Sequence, residues 1–199
     1  MWPYNSPPVS DASTEALDDL SKELNEATRR AWTLVQTTDA RHFTVRPKPS
    51  SWSAAECLSH LSISSELFLP VLRVAIEDAR KRNLVSDRVP KMDVIGRVLR
   101  WFLEPPIRQR VKTTAPFVPR SVRAKAEAFG EFAGLQEKLA EALAGARGLN
   151  LSKVKVVSPF DKRVRFNIYS AFRILVAHQR RHLWQAEQAI AELRRDRVR

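Results

Sequence analysis

The sequence predicts an all-α protein: a four-helix bundle in up-down-down-up order, with a long crossover between the second and third helices. Three observations carry this. Glycine is scarce, at 5 of 199 residues, and Leu, Ala, Glu and Arg are common, a composition that favours helices. Four long stretches repeat apolar residues at three- and four-residue steps. Between the second and third lies a connection of 37 residues, 84–120, rich in proline. A helix of about 28 residues spans roughly 42 Å, and a largely extended connection of this length can cross it. The second and third helices are therefore expected to run parallel.

The length of 199 residues and the 44% hydrophobic content suit one domain with its own core. Residues 1–10, rich in Pro and Ser, read as a loose arm, and 84–120 as a crossover insertion. The first helix is expected from about Ser13 to Thr38, with Leu17, Leu20, Leu24, Ala27, Ala31 and Leu34 in phase. Asp11, Glu15, Asp18 and Asp19 stand near its start, where the helix dipole favours negative charge. The stretch RPKPSSW, Arg46 to Trp52, interrupts the pattern, and His42 reads as a loop residue.

The second helix opens on Ser53-Ala54-Ala55-Glu56, a capping box in which Ser53 accepts from the third amide and Glu56 reaches back. An apolar stripe follows through Cys57, Leu58, Leu61, Leu67, Phe68, Val71, Leu72 and Ala75, fading by about Lys81 and interrupted by Pro70. His60 lies inside that stripe. In the crossover, MDVIGRVLRWFL (Met92 to Leu103) is amphipathic and helical, whereas EPPIRQRVKTTAPFVP reads as extended loop. A connection this long inside a compact domain has a specific role. The third helix is expected from Ser121 to Ala146, with Val122, Ala126, Phe129, Phe132, Gln136, Leu139 and Leu143 facing inward and Gly145 and Gly148 ending it. A loop with a short extended piece fills 149–166. The fourth helix starts at Asn167, a good N-cap, and runs to about Leu193.

On that last helix the in-phase positions are Ala171, Leu175, His178, His182, Gln185, Ala189 and Leu193, with Arg180 and Arg181 falling mainly outside the seam. Residues four apart stack on one helix face, so His178 and His182 can hold one metal ion between them. His60 supplies a third core-phase imidazole. A single buried histidine ordinarily finds a hydrogen-bond partner and nothing more. Three of them from two helices leave several ring nitrogens to satisfy, and a divalent metal does so. Gln185, one turn beyond His182, either supports a ligand or packs. Glu56, one turn before His60, either approaches the metal or serves the cap.

The formal charge of +12 is uneven: −4 over residues 1–79, +10 over 80–125, −2 over 126–147 and +8 over 148–199. Such asymmetry fits nucleic acid, an anionic membrane surface, an anionic substrate or a merely solvated basic face. The single cysteine, Cys57, excludes an internal disulfide and a Cys-rich zinc site. No apolar run reaches the roughly 18 residues of a membrane span, and no secretory leader is seen in MWPYNSPPVSDAST; a cytoplasmic protein is the expectation.

Two motifs, WSAAECLSHL (Trp52 to Leu61) and AFRILVAHQRRHLWQ (Ala171 to Gln185), resemble those of the DinB-like (YfiT-like) superfamily of metal-dependent proteins, and the likeness extends over nearly the whole chain in helix order. The resemblance implies the up-down-down-up bundle, a bacterial source, and a metal held by one histidine of the second helix and a His-x3-His pair of the fourth, here His60, His178 and His182. Some members of the superfamily resemble transferases using a low-molecular-weight thiol (bacillithiol, mycothiol or glutathione) and one branch includes an isomerase, so the resemblance names neither the reaction nor the substrate. Three neutral imidazoles suit zinc or nickel and leave room for a further ligand. The expected function is a metal-dependent transferase or hydrolase acting on a small molecule, with homodimerisation in keeping. The alternative is a non-catalytic metal-containing protein whose basic segment (Arg97, Arg100, Arg108, Arg110 and Lys112, with Trp101 and Phe102 interleaved) meets nucleic acid or an anionic membrane.

Overall fold

Ser53 and Glu56 open the second long helix as the sequence predicts: the Ser53 hydroxyl accepts from the Glu56 amide at 3.2 Å, and the Glu56 carboxylate accepts from the Ser53 amide at 2.9 Å. The computed structural model describes residues 12–106, 113 and 115–196. The expected arm at 1–10, and Arg108, Arg110 and Lys112 of the basic segment, lie outside the described residues. Six helices are described: α1 (Ala12–Thr37), α2 (Ala40–Thr44), α3 (Ala54–Lys81), α4 (Val94–Leu103), α5 (Lys125–Gly145) and α6 (Ile168–Asp196). A 3₁₀ turn spans Ala115–Phe117, and strands β1 (Lys155–Val157) and β2 (Arg165–Asn167) form an antiparallel hairpin. None of the described helices is long and apolar enough to cross a membrane.

The four expected long helices are α1, α3, α5 and α6. Both α1 and α3 pack against α5 and α6, which encloses an apolar interior. At one end Leu20, Leu72, Leu139 and Phe172 are buried together; at the other, Ala31, Leu58, Phe132 and Leu183. Each fully buried Leu or Phe contributes roughly 1.5–3 kcal/mol. The polar Gln136 is accommodated because it and Gln179 bond each other's amides at 2.6 and 3.2 Å, and Gln136 also donates to the Leu24 carbonyl at 3.0 Å.

The part of the crossover around α4 is anchored at both ends. Asp93 caps α4 by accepting from the Gly96 amide at 2.9 Å, and it also accepts from the Asn167 amide at 2.8 Å and the Ser170 hydroxyl at 3.0 Å. Gly96 sits directly on Ser170: a Cβ there would lie 2.2 Å from its Oγ. At the other end of α4, Glu104 accepts from Arg180 Nε at 2.9 Å and Arg100 Nε at 3.2 Å, and Glu23 of α1 pairs with Arg180 and Arg173. Burial alone would raise the Glu104 carboxyl's pKa; Arg180 and Arg100 outweigh it and hold the pKa below the usual value. The stability this adds is present above the ordinary Glu pKa and lost as pH falls through the folded value, below about 4.5. The urea midpoint is therefore expected to fall as pH is lowered through that window, and Glu104→Gln should flatten the drop. An unchanged pH profile in Glu104→Gln would show that these pairs contribute nothing.

Several elements differ from expectation for local reasons. The helix expected from Ser121 starts at Lys125. Its N-cap, Ala124, makes no side-chain cap bond, and Val122 and Ala126 are exposed. The inward face is Ala128, Phe132, Leu135, Gln136, Leu139 and Leu143. His42 belongs to α2 rather than a loop: Asp39 accepts from its amide at 3.0 Å and also bonds its Nδ1. The short extended piece within 149–166 is one strand of the hairpin. Asn167 closes β2 and then caps α6, accepting from the Ser170 amide at 2.8 Å.

Candidate metal centre

The capping box fixes where α3 begins, and His60 lies two turns beyond Ser53, facing α6. There it meets His178 and His182. All three are buried, at 2%, 6% and 8% exposure. Their ring centroids lie 4.3–4.9 Å apart, and one nitrogen from each falls within 4.8 Å of the others. His42 takes no part.

One contact determines the tautomer of His60. Its Nδ1 lies 2.7 Å from the carbonyl oxygen of Phe117; a carbonyl only accepts, so Nδ1 carries the proton and donates. Nε2 therefore presents a lone pair, and it faces Nε2 of His178 at 3.1 Å. An imidazole steadied through its other nitrogen by a backbone carbonyl is the usual support of a metal ligand. The 3.1 Å separation is close to the about 3.3 Å that separates two nitrogens on a tetrahedral ion at bond lengths near 2.05 Å. Nδ1 of His182 is buried without a hydrogen bond of normal geometry, a cost that an ion or other ligand would remove. The donor set thus fits a divalent metal.

Electrostatics favour the same state. Burial lowers the pKa of His60 to about 4, only partly offset by the Phe117 carbonyl. Burial, the neighbouring imidazoles and Arg181 push His178 and His182 well below the usual value. The cluster is therefore neutral at pH 7, as metal coordination requires.

Aromatic side chains wall the cluster. Trp52, directly before the Ser53 cap, lies 4.9 Å from His60 and 5.8 Å from His182 by ring centroids. Phe160, from the hairpin loop, lies 5.5 Å from His178 and stacks at 4.5 Å on Phe117. Neither of two surface clefts, of about 490 and 320 Å³, includes one of the three histidines.

Arg180 is half-buried, but Arg181 does not fall outside the buried face as the spacing implies. Residues 174–179 and 181–183 of α6 are all buried. Arg181, at 7% exposure, donates to the Phe102 carbonyl at 3.3 Å. This places a buried cation beside the histidines, which the heptad-like pattern conceals. Gln185 stands near enough to His182 to favour its protonated form. Glu56 serves the cap and accepts from Arg46 Nε at 2.8 Å; no hydrogen bond joins it to the three histidines. Cys57 is fully buried, and burial raises the pKa of its thiol.

The sequence pattern of the DinB superfamily matches residues 23–186. The chain belongs to the DinB superfamily. No curated protein and no solved structure shows a significant match to it. The superfamily match spans both motifs singled out in the sequence, and with them all three histidines of the cluster. Among the described residues, the start of α1 and the final turns of α6 of this DinB protein fall beyond the match.

Proposed function

We propose that this DinB-superfamily chain is a metal-dependent enzyme acting on a small molecule, by thiol-dependent transfer or metal-assisted hydrolysis. The observation that carries the reading is the convergence of three buried, neutral imidazoles with one lone pair already oriented. His60, His178 and His182 would hold a divalent ion, zinc or nickel by ligand type. Such an ion supplies a Lewis acid that lowers the pKa of a thiol or water at a remaining position.

The chain's own groups have separate tasks. Phe117 holds the His60 proton on Nδ1. Trp52, Phe117 and Phe160 exclude water, which strengthens every charge interaction inside. Arg181, buried at 7%, favours an anion such as a thiolate or carboxylate. Since Cys57 is fully buried, a thiol nucleophile would have to come from a small molecule. Gln185 is suited to support His182 or a substrate; Glu56 reaches the site only through the start of α3.

The order of contacts supports an up-down-down-up bundle as a single domain with 84–120 as its crossover. Along α1, Glu23 meets Arg173 and Arg180, and Arg30 meets Glu187, so α1 and α6 run in the same direction. Arg80, near the end of α3, donates to Gly145 at the end of α5, a parallel pair. A cytoplasmic location and homodimer formation belong to the same reading. The alternative, a structural metal in a non-catalytic protein, draws on the enclosure of the histidines.

Purified chain is expected to hold about one divalent ion, as a single three-histidine site requires. Loading with cobalt and titrating small thiols and carboxylates decides between the readings. A visible spectrum that shifts on titration supports an open catalytic position. A spectrum indifferent to all of them would establish a closed structural site, and failure to bind any divalent ion would remove both readings.

A further inference from the structure

Helix α4 turns an apolar ridge outward. Val94, Val98 and Trp101, at i, i+4 and i+7, share one face and are 65%, 59% and 60% exposed. Ile95 borders them at 46%. The opposite face is committed to the protein: Gly96 is buried on Ser170, and Leu99 and Leu103 pack on the core. A helix that merely covered the bundle would show polar residues here.

The charge around the ridge is one-sided. Residues 80–106 hold seven basic and three acidic side chains. Two of the acids are already engaged, Asp93 with Lys155 and Glu104 with Arg100 and Arg180. The side chains of Arg88, Lys91 and Arg97 are exposed, and Arg97 directly flanks Trp101 and Val94 on the helix surface.

We infer that the outer face of α4 docks on an anionic lipid bilayer, lying in the plane of the headgroups. A ten-residue helix, about 15 Å long, is too short to span, but its ridge can enter the headgroup–acyl boundary while arginine and lysine remain at the phosphates. Tryptophan suits that boundary. A second copy of the chain fits less well, because a symmetric contact would oppose two basic segments of like sign. Duplex DNA fits less well too, because phosphates would meet valines that offer no hydrogen bond. This inference is independent of the metal reading.

Co-sedimentation of the full chain with vesicles tests it. Binding is expected to phosphatidylcholine mixed equally with phosphatidylglycerol, not to phosphatidylcholine alone, and it should weaken with salt. The double substitution Val94→Ser and Val98→Ser should lower binding about tenfold without changing the melting temperature, since both side chains are exposed. Arg97→Gln should lower it about fivefold. The proposal is overturned if the unaltered chain sediments with neither vesicle, or if the double variant binds as well as its parent. It is overturned equally if the double substitution instead abolishes dimerisation or retention on duplex DNA, because another occupant then covers the ridge.

Discussion

Replacing His178 by alanine is expected to weaken divalent-metal binding by more than about a hundredfold, since loss of a residue that merely supports a metal ligand already costs 10–100-fold. His60→Ala should do the same, although it lies on another helix 118 residues away in sequence. His42→Ala is the control: its ring bonds Asp39, the N-cap of α2, and takes no part in the cluster. Competition against a chromophoric chelator reads all three. Equal affinities for the His42 and His60 variants would dismantle the cross-helix site. The buried imidazoles also make these variants informative about stability: removing one ring from a coupled trio relieves polar crowding but leaves a cavity.

The second large effect falls far from the histidines. Gly96→Ala should destabilise the protein by about 2–3 kcal/mol in urea denaturation, the scale of an overpacked contact. Helix propensity alone would favour alanine by about 1 kcal/mol, so the sign of the result tests the packing directly. The added Cβ would meet Ser170 Oγ at 2.2 Å, Ser170 Cβ at 2.4 Å and Asp93 Oδ1 at 2.9 Å. Helix α4 would have to lift, loosening the Asp93 cap that Ser170 and Asn167 share. Combining the change with Ser170→Gly, which vacates the space, should cost less than the sum of the two singles. Strict additivity would mean that the two residues do not press on each other.

What could be read from the sequence was what short range determines. The Ser53–Glu56 box, the phase of His60 and the His178–His182 spacing are local patterns, and the structure brings those three histidines together. The failures lie where tertiary contact overrides pattern. Arg181 reads as solvent-facing on a helical wheel, yet α6 is enclosed on nearly every side through the site. Val122 keeps helical spacing before α5 has begun, and Ala126 lies exposed in its first turn. The Phe117 carbonyl was invisible, since a backbone acceptor leaves no residue-type signature. A glycine inside the strongly amphipathic stretch from Met92 to Leu103 was a usable clue: its cost in a helix interior calls for a close neighbour, and Ser170 is that neighbour.

The bond from His60 to Phe117 joins the orientation of a ring in the cluster to the seating of the turn at Ala115–Phe117. The carbonyl lies 57 residues along the chain from the ring it steadies, on a segment that also presses Phe117 against Phe160. Thermodynamic linkage makes that dependence mutual. Whatever settles that turn would raise the affinity of His60 for an ion, and an ion on His60 would settle the turn by the same factor. Cargo and clasp would then be gained and surrendered together.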